Sequence, residues 1–283
     1  MQAYLIFACC LPLGLISGFT SGLFGVGGGI IVVPGLLLLF DLMSFHALSN
    51  YHLAVGTSLC AMVFSSVFAV WRHQRYLKLD WLLVRSLVPG VVAGIFMAAV
   101  LFPYLPRDIL RTGFIVFLAL LLLRFWLAVP AKSSVSVRQP KNGRDAWISF
   151  KCFPQLAGQL AGGVLIGFVS LLLGIGGGTI AIPLLGRYNL SMPSMIAVAS
   201  CIGVMISVAG MLNSIYAGWQ QPDLPIYSLG YVYWPAVCGI SVTSFFSVRL
   251  GVHYAHHMPA RWLKRLFSGL LMLIIFNMLV WRA

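Results

Sequence analysis

The stretch "SGLFGVGGGIIVVP", residues 21–34, sets four glycines within five positions inside a run otherwise suited to an apolar helix. Glycine weakens a helix interior by about 1 kcal/mol relative to alanine, so a break is expected here. Residues 170–183, "SLLLGIGGGTIAIP", repeat the pattern 149 positions later, with Pro34 and Pro183 at the same offset. Glycine in membrane helices often serves only close packing. Packing alone does not require the same interruption twice, so the pair reads as a duplicated device.

Working outward, the surrounding chain is suited to a bilayer. Of 283 residues, 60% are hydrophobic and 8% charged, against about 25% charged in soluble domains. A helix needs about 20 apolar residues to cross the hydrocarbon layer. Apolar blocks of suitable length fall at about 3–40, 51–71, 82–102 and 107–129, and again at 154–186, 194–216, 228–248 and 260–282. The polar segment 131–152 separates the two sets, so the expected organisation is a membrane repeat over 1–130, a basic cytoplasmic linker, and a second repeat over 153–283. "AVGTS" at 54–58 and "AVASC" at 197–201 occupy the same place in the second block of each half. Together with the glycine match they indicate an internal duplication. The N-terminal "MQAYLIFACCLPLG" has no basic leader and reads as the start of the first membrane segment.

The first block of each half is too long for one crossing. A continuous helix over the 38 residues of the first of these, 3–40, would extend about 57 Å at 1.5 Å per residue. Each is expected to be broken at its glycines or to form a re-entrant hairpin, and loop charge favours the hairpin. If both blocks enter and leave on one side, the halves are inverted. The cytoplasmic side then holds Arg72, Arg75, Lys78 and Arg85; Arg124, Lys132, Arg138, Lys141, Arg144 and Lys151; Arg187; and Arg249, Arg261, Lys264 and Arg265. That is 15 basic residues inside, with Arg107, Arg111 and Arg282 outside. Single crossings would leave 11 inside and 7 outside, a weaker fit to the positive-inside rule. The expected fold is an all-α polytopic membrane protein of two inverted repeats with four apolar blocks each, the architecture of secondary transporters whose site lies at the midplane.

The same charges exclude other classes. A formal net charge of +13 is met by positive-inside loops, and no basic, aromatic-rich stripe points to nucleic acid. The acids Asp41, Asp80, Asp108, Asp145 and Asp223 all sit at block ends or in loops, and the chain has no Glu. No span therefore carries the midplane carboxylate usual in cation carriers and proton pumps. Cys9, Cys10, Cys60, Cys152, Cys201 and Cys238 show no metal-ligand spacing and read as small buried hydrophobes. No nucleophile and base share one depth, so an enzyme is not expected, nor is a metal or cofactor.

An anion fits better. A helix that starts just after a glycine turn offers free N–H groups and a partial positive charge. The candidate substrate-binding set is Ser21, Gly25, Gly27, Gly28, Gly29, Thr57 and Ser58 in the first half, with Ser170, Gly174, Gly176, Gly177, Gly178, Thr179, Ser200 and Asn213 in the second. Hydroxyls and amides donate to an oxyanion without adding fixed charge. Pro34 and Pro183 are expected as fixed kinks on the access path. His52 is expected on that path or at the membrane interface. His253, His256 and His257 are expected on a solvated basic face near lipid headgroups.

These residues resemble the sulfite exporter TauE/SafE family of bacterial membrane proteins. The resemblance rests on "GVGGGIIVVP", the following "AVGTS", "RHQRYLKLDW" before "PGVVAG", and the second copy "GIGGGTIAIP". It covers both halves and implies export or exchange of a small sulfur-containing oxyanion, sulfite or an organosulfonate, across the bacterial cytoplasmic membrane. In the second half "AVASC" stands where a GTS-like segment is expected, so Cys201 occupies the place of Ser58. A membrane assembly protein without a transport cycle, or a passive anion channel, is the alternative.

Overall fold

The computed structural model describes residues 2–42, 50–76, 81–127, 153–186, 192–219, 221, 224–258 and 260–280. The linker 131–152, with Lys78, Arg187 and Arg282, lies outside the described residues. Among the described residues ten α-helices follow in order: α1 (Gln2–Phe24), α2 (Gly29–Leu42), α3 (Asn50–His73), α4 (Trp81–Leu101), α5 (Arg107–Leu127), α6 (Phe153–Leu173), α7 (Gly178–Leu185), α8 (Met192–Gly218), α9 (Trp234–His257) and α10 (Ala260–Val280). Among the described residues five segments are long and apolar enough to cross a membrane, within α1, α3, α8 and α9 and from α4 into the short 3-10 turn that follows it.

Both long blocks break at their glycines and fold back. Helix α1 ends at Phe24 and α2 starts at Gly29, with Gly28 against Ser17 and Gly35 against Leu13. In the second half α6 ends at Leu173 and α7 starts at Gly178, with Gly162 against Leu184. The returning arms are short, about 21 Å for the 14 residues of α2 and about 12 Å for the eight of α7 at 1.5 Å per residue. Pro34 and Pro183 each fall at the sixth position of the returning helix. A proline there supplies no N–H and loosens the turn before it.

The helices pack in a pattern that survives exchange of the two halves. Gly14, Gly18 and Gly22 of α1 face Ile240, Ser244 and Val248 of α9, so these helices run parallel. Gly90 and Gly94 of α4 face Leu160 and Val164 of α6 in the same sense. Helices α3 and α8, the third in each half, run antiparallel: Gly56 meets Ser214, Leu59 meets Gly210, and Ser66 lies nearest Gly203. Small residues spaced four apart let these backbones approach closely, the usual means of adhesion between helices in lipid. Apolar side chains cover the outer faces, among them Phe96 and Met97 of α4, Leu120 of α5 and Phe276 of α10. Ser58, Ser65 and Ser66 of α3 and Ser200, Ser207 and Ser214 of α8 are buried.

One block differs from its expectation. Residues 228–248 do not form a helix throughout. Ser228–Leu229 pair antiparallel with Val232–Tyr233 as a β-hairpin, and helix begins only at Trp234. Tyr227 and Gly230 take φ of 72° and 56°, and Pro235 opens the helix, a position where a missing N–H costs nothing. The cysteines also divide: Cys10, Cys60 and Cys201 are buried as expected, whereas Cys238 is exposed on α9.

A valine at Gly22 would drive its side chain into the Val248 carbonyl and the Val252 amide, 2.5 and 2.8 Å from the first added carbon. Gly269 has open space around it. Gly22→Val should cost about 1–3 kcal/mol by overpacking and lower the thermal unfolding midpoint in detergent, while Gly269→Val leaves it nearly unchanged.

Candidate functional site

The two glycine turns touch. The backbone of Gly176 lies against the Val26 carbonyl, Gly178 against Gly25 and Val26, and Gly29 against the Gly174 carbonyl. A side chain on any of these three glycines would collide with main chain, so the contact needs them for approach. Gly28 and Gly174 are required for a different reason, since φ of 81° and 66° lies in the left-handed region that glycine enters freely. All nine residues from Gly25 to Gly29 and Gly174 to Gly177 are buried.

Each turn exposes the start of a helix. The amides of Gly27, Gly28, Gly29 and Ile30, and those of Gly176, Gly177, Gly178 and Thr179, form no backbone hydrogen bond among the described residues. Such free donors concentrate partial positive charge at the start of α2 and α7. The hydroxyls of Ser21 and Ser170, equivalent in the two halves, are fully buried and unpartnered. Their carbonyls receive the Gly25 and Ile175 amides at 2.8 and 3.0 Å. Buried polar groups without partners are costly and uncommon, and here two recur at duplicated positions.

Helices α3 and α8 supply the walls, each reaching across to the other half's turn. Ser58 Oγ lies 2.8 Å from the Val55 carbonyl and 3.3 Å from the Gly174 carbonyl. Ser200 borders Gly25, its hydroxyl donating to the Ile196 carbonyl at 2.9 Å. Thr179 Oγ1 donates to the Gly176 carbonyl at 3.2 Å. One expected donor points elsewhere. Thr57 Oγ1 accepts the Tyr233 N–H at 3.0 Å and so anchors the β-hairpin. Asn213 lies beside Ser214, which packs on Gly56 near the outer end of α3; its Nδ2 is buried without a partner.

Residues not singled out from sequence complete the contact. Ser65 Oγ donates to the Gly27 carbonyl at 3.0 Å, Met62 packs its sulfur on Gly27 and Gly29, and Ser66 borders Gly27. Ser58, Met62 and Ser65 are spaced at helical intervals and share one face, a signal present in the sequence. Of the histidines expected on a basic face, His256 alone is drawn inward. His52 is 8% exposed and packed between Phe102 and Tyr231, its Nε2 3.3 Å from the Phe102 carbonyl. His256 is drawn inward, its Nε2 3.2 Å from Nδ1 of the fully buried His73. His257 stays on an exposed face.

A cleft opens along α2 above the first turn. Pro34, Leu37, Leu38 and Asp41 form one side, and Tyr51 of α3, Arg107 and Arg111 of α5 and Met278 of α10 form the other.

Over residues 10–278 the chain matches the profile of the family described as sulfite exporter TauE/SafE. The chain belongs to this family. A probable membrane transporter protein of Haemophilus influenzae is 32% identical over 272 residues, covering 95% of this chain and 96% of the relative. The probable membrane transporter protein MJ0441 of Methanocaldococcus jannaschii is 27% identical, with 94% of each chain covered. The probable membrane transporter protein YunE of Bacillus subtilis is 25% identical over 75% of this chain and 82% of its own length. No solved structure matches. A TauE/SafE chain of this kind is a multi-pass membrane protein of a transporter family and not an enzyme. Among the described residues no group of three or more His, Cys, Asp or Glu side chains is arranged to hold a metal.

Gly176→Ala sets a methyl group on the Val26 carbonyl and should push the two turns apart. The expected outcome is a lower thermal midpoint and loss of whatever transport the wild type shows. Gly186→Ala, at a position with open space, should leave both within error of wild type.

Proposed function

We propose that this protein is a secondary transporter that carries a small sulfur-containing oxyanion, sulfite or an organosulfonate, across the bacterial cytoplasmic membrane, and that net export is its direction. The observation that carries this reading is the meeting of two helix-start turns, backbone against backbone, from opposite halves of the chain. Their free amides would hold the anion, with Ser21, Ser58, Ser170, Thr179 and Ser200 as orienting hydroxyls. Thr57 and Asn213 act further out, on the wall toward the β-hairpin.

The halves are inverted repeats in this reading. The antiparallel run of α3 and α8 supports it, because a two-fold axis relating antiparallel partners lies perpendicular to them, in the membrane plane. The charge count of 15 basic residues inside against 3 outside supports the same orientation. One hairpin then enters from each side and their tips meet at mid-depth. In the contact described above the turns leave no room for a solute between them, so transport requires them to part. Relative movement of the halves, one hairpin exposed at a time, gives alternating access. Pro34 and Pro183 act as fixed kinks in the returning arms, and the packed glycine stripes between α1 and α9 and between α4 and α6 join one half to the other, so the movement runs along these seams.

Amide donors suit an anion that must be released. A fixed cationic side chain would add charge that persists after the substrate leaves, whereas helix-start dipoles are already compensated along their own helices. The absence of any Asp or Glu from the interior of the spans removes the repulsion such an anion would meet.

Proteoliposomes holding the purified chain should take up labelled sulfite or a small sulfonate with saturation, and unlabelled substrate inside should accelerate uptake by exchange. No movement of sulfite, sulfonate, sulfate or thiosulfate at any pH or potential would sink the oxyanion assignment. Flux linear in concentration, with electrical conductance, would instead identify a channel.

A further inference from the structure

The cleft above the first turn has a use that the glycine site does not supply. Arg107 and Arg111 stand one helical turn apart on α5, both half-buried, and share the cleft with Tyr51, Asp41 and Pro34. Like charges at this spacing repel. Placing them in the first two turns of a helix adds the positive end of the helix dipole to the same spot. Asp108 in that first turn offsets part of this charge. Asp41 forms no ion pair with either guanidinium, and Arg107 has no hydrogen-bond partner among the described residues. Arg111 makes one bond, Nη2 to the Met278 carbonyl at 3.4 Å, which engages the last turn of α10 and leaves most of its donors unused.

The position is as telling as the charge. Pro34 is five residues beyond Gly29, so the inner end of the cleft is about 8 Å from the start of α2 and its Asp41 end about 18 Å away, at 1.5 Å per residue. Tyr51 closes the wall, fully buried, its hydroxyl donating to the Leu110 carbonyl at 3.2 Å. In sequence, "PRDILRTGF" at 106–114 and "PARWLKRLF" at 259–267 share proline, leucine and phenylalanine in register, with Arg111 matched by Lys264 but Arg107 by Ala260, so the pair of arginines belongs to the first half alone.

We propose that Arg107 and Arg111 form a second anion site, in which a sulfite-sized oxyanion is held at the mouth of the path leading to Gly25–Gly29. Guanidinium groups suit this role because their planar donors meet two oxygens of an oxyanion at once. The staging role rests on the transport reading given above, whereas the binding itself does not. The phosphate of an anionic lipid has the same chemistry, and the test separates the two sources.

The test is equilibrium dialysis of labelled sulfite against the full-length, delipidated chain in detergent at fixed low ionic strength. The comparison set is the wild type, Arg107→Gln, Arg107→Gln/Arg111→Gln and Gly176→Ala. The wild type should bind two classes of sulfite. The double variant should lose one of them, weakened by about ten- to a hundredfold as charge-assisted hydrogen bonds disappear, while Gly176→Ala keeps that class. Arg107→Gln alone should weaken it in part, and because that side chain has no partner to lose, this variant folds even if the double one does not. A single class, abolished by the arginine changes, would uphold this site and sink the glycine reading. Sulfite binding unchanged in both arginine variants would overturn the proposal. Added phosphatidylglycerol that fails to displace the arginine-dependent class identifies the solute as occupant, whereas displacement at stoichiometric lipid assigns the site to a headgroup and overturns the staging role.

Discussion

The rest of the structure depends on one contact, the meeting of two glycine turns main chain to main chain. Three glycines are there because another backbone occupies the space where a side chain would go, and others because the chain must take a left-handed turn. Once the two tips meet, much else is constrained. Each long block must fold back, each returning helix must start at the contact with its amides unpaired, and α3 and α8 must line the join from opposite halves. The hydrophobic effect cannot hold helices together in lipid, so close approach along glycine and serine stripes takes its place. The parallel pairs α1 with α9 and α4 with α6 are built in this way.

Such an arrangement suits an anion better than a cation. The spans carry no interior carboxylate, and the groups that converge at the turns are backbone amides and hydroxyls together with the carbonyls of Gly25, Val26 and Gly174. The cost of leaving them without partners in a buried place is appreciable, and in the proposed cycle an arriving anion offsets it. The buried, unpartnered hydroxyls of Ser21 and Ser170 repeat that feature at equivalent positions. Arg107 and Arg111 stand farther out, where full charges can remain hydrated, so fixed charge lies at the cleft and partial charge at the centre.

Much of this could be read from the sequence. The repeated "GxGGG" signalled the breaks and the fold-back, and the repeated prolines marked the returning arms at the right offset. The pairing of Gly14, Gly18 and Gly22 with α9 was equally present as a spacing of four, but the sequence does not say which helix a small-residue stripe will meet. The β-hairpin at 228–233 was hidden because its residues are as apolar as the helix that follows, and length alone cannot separate them. Thr57 and Ser58 are both expected at the turns. On a helix, adjacent residues point about 100° apart, so Thr57 faces the hairpin while Ser58 faces Gly174. The pairing of His73 with His256 joins residues 183 apart in the chain, which no local pattern reveals.

The central claim is that the two turns separate to admit an oxyanion to their free amides. Hydrogen–deuterium exchange of the full chain in lipid nanodiscs tests it most directly, by following peptides that cover 24–31 and 174–181 with sulfite or with chloride at equal ionic strength. The account predicts that these amides exchange measurably in chloride, through opening of the contact, and slow by about tenfold or more in saturating sulfite, as expected when a ligand binds the donors. Exchange at both turns that is indifferent to sulfite and to every sulfonate tried would contradict it.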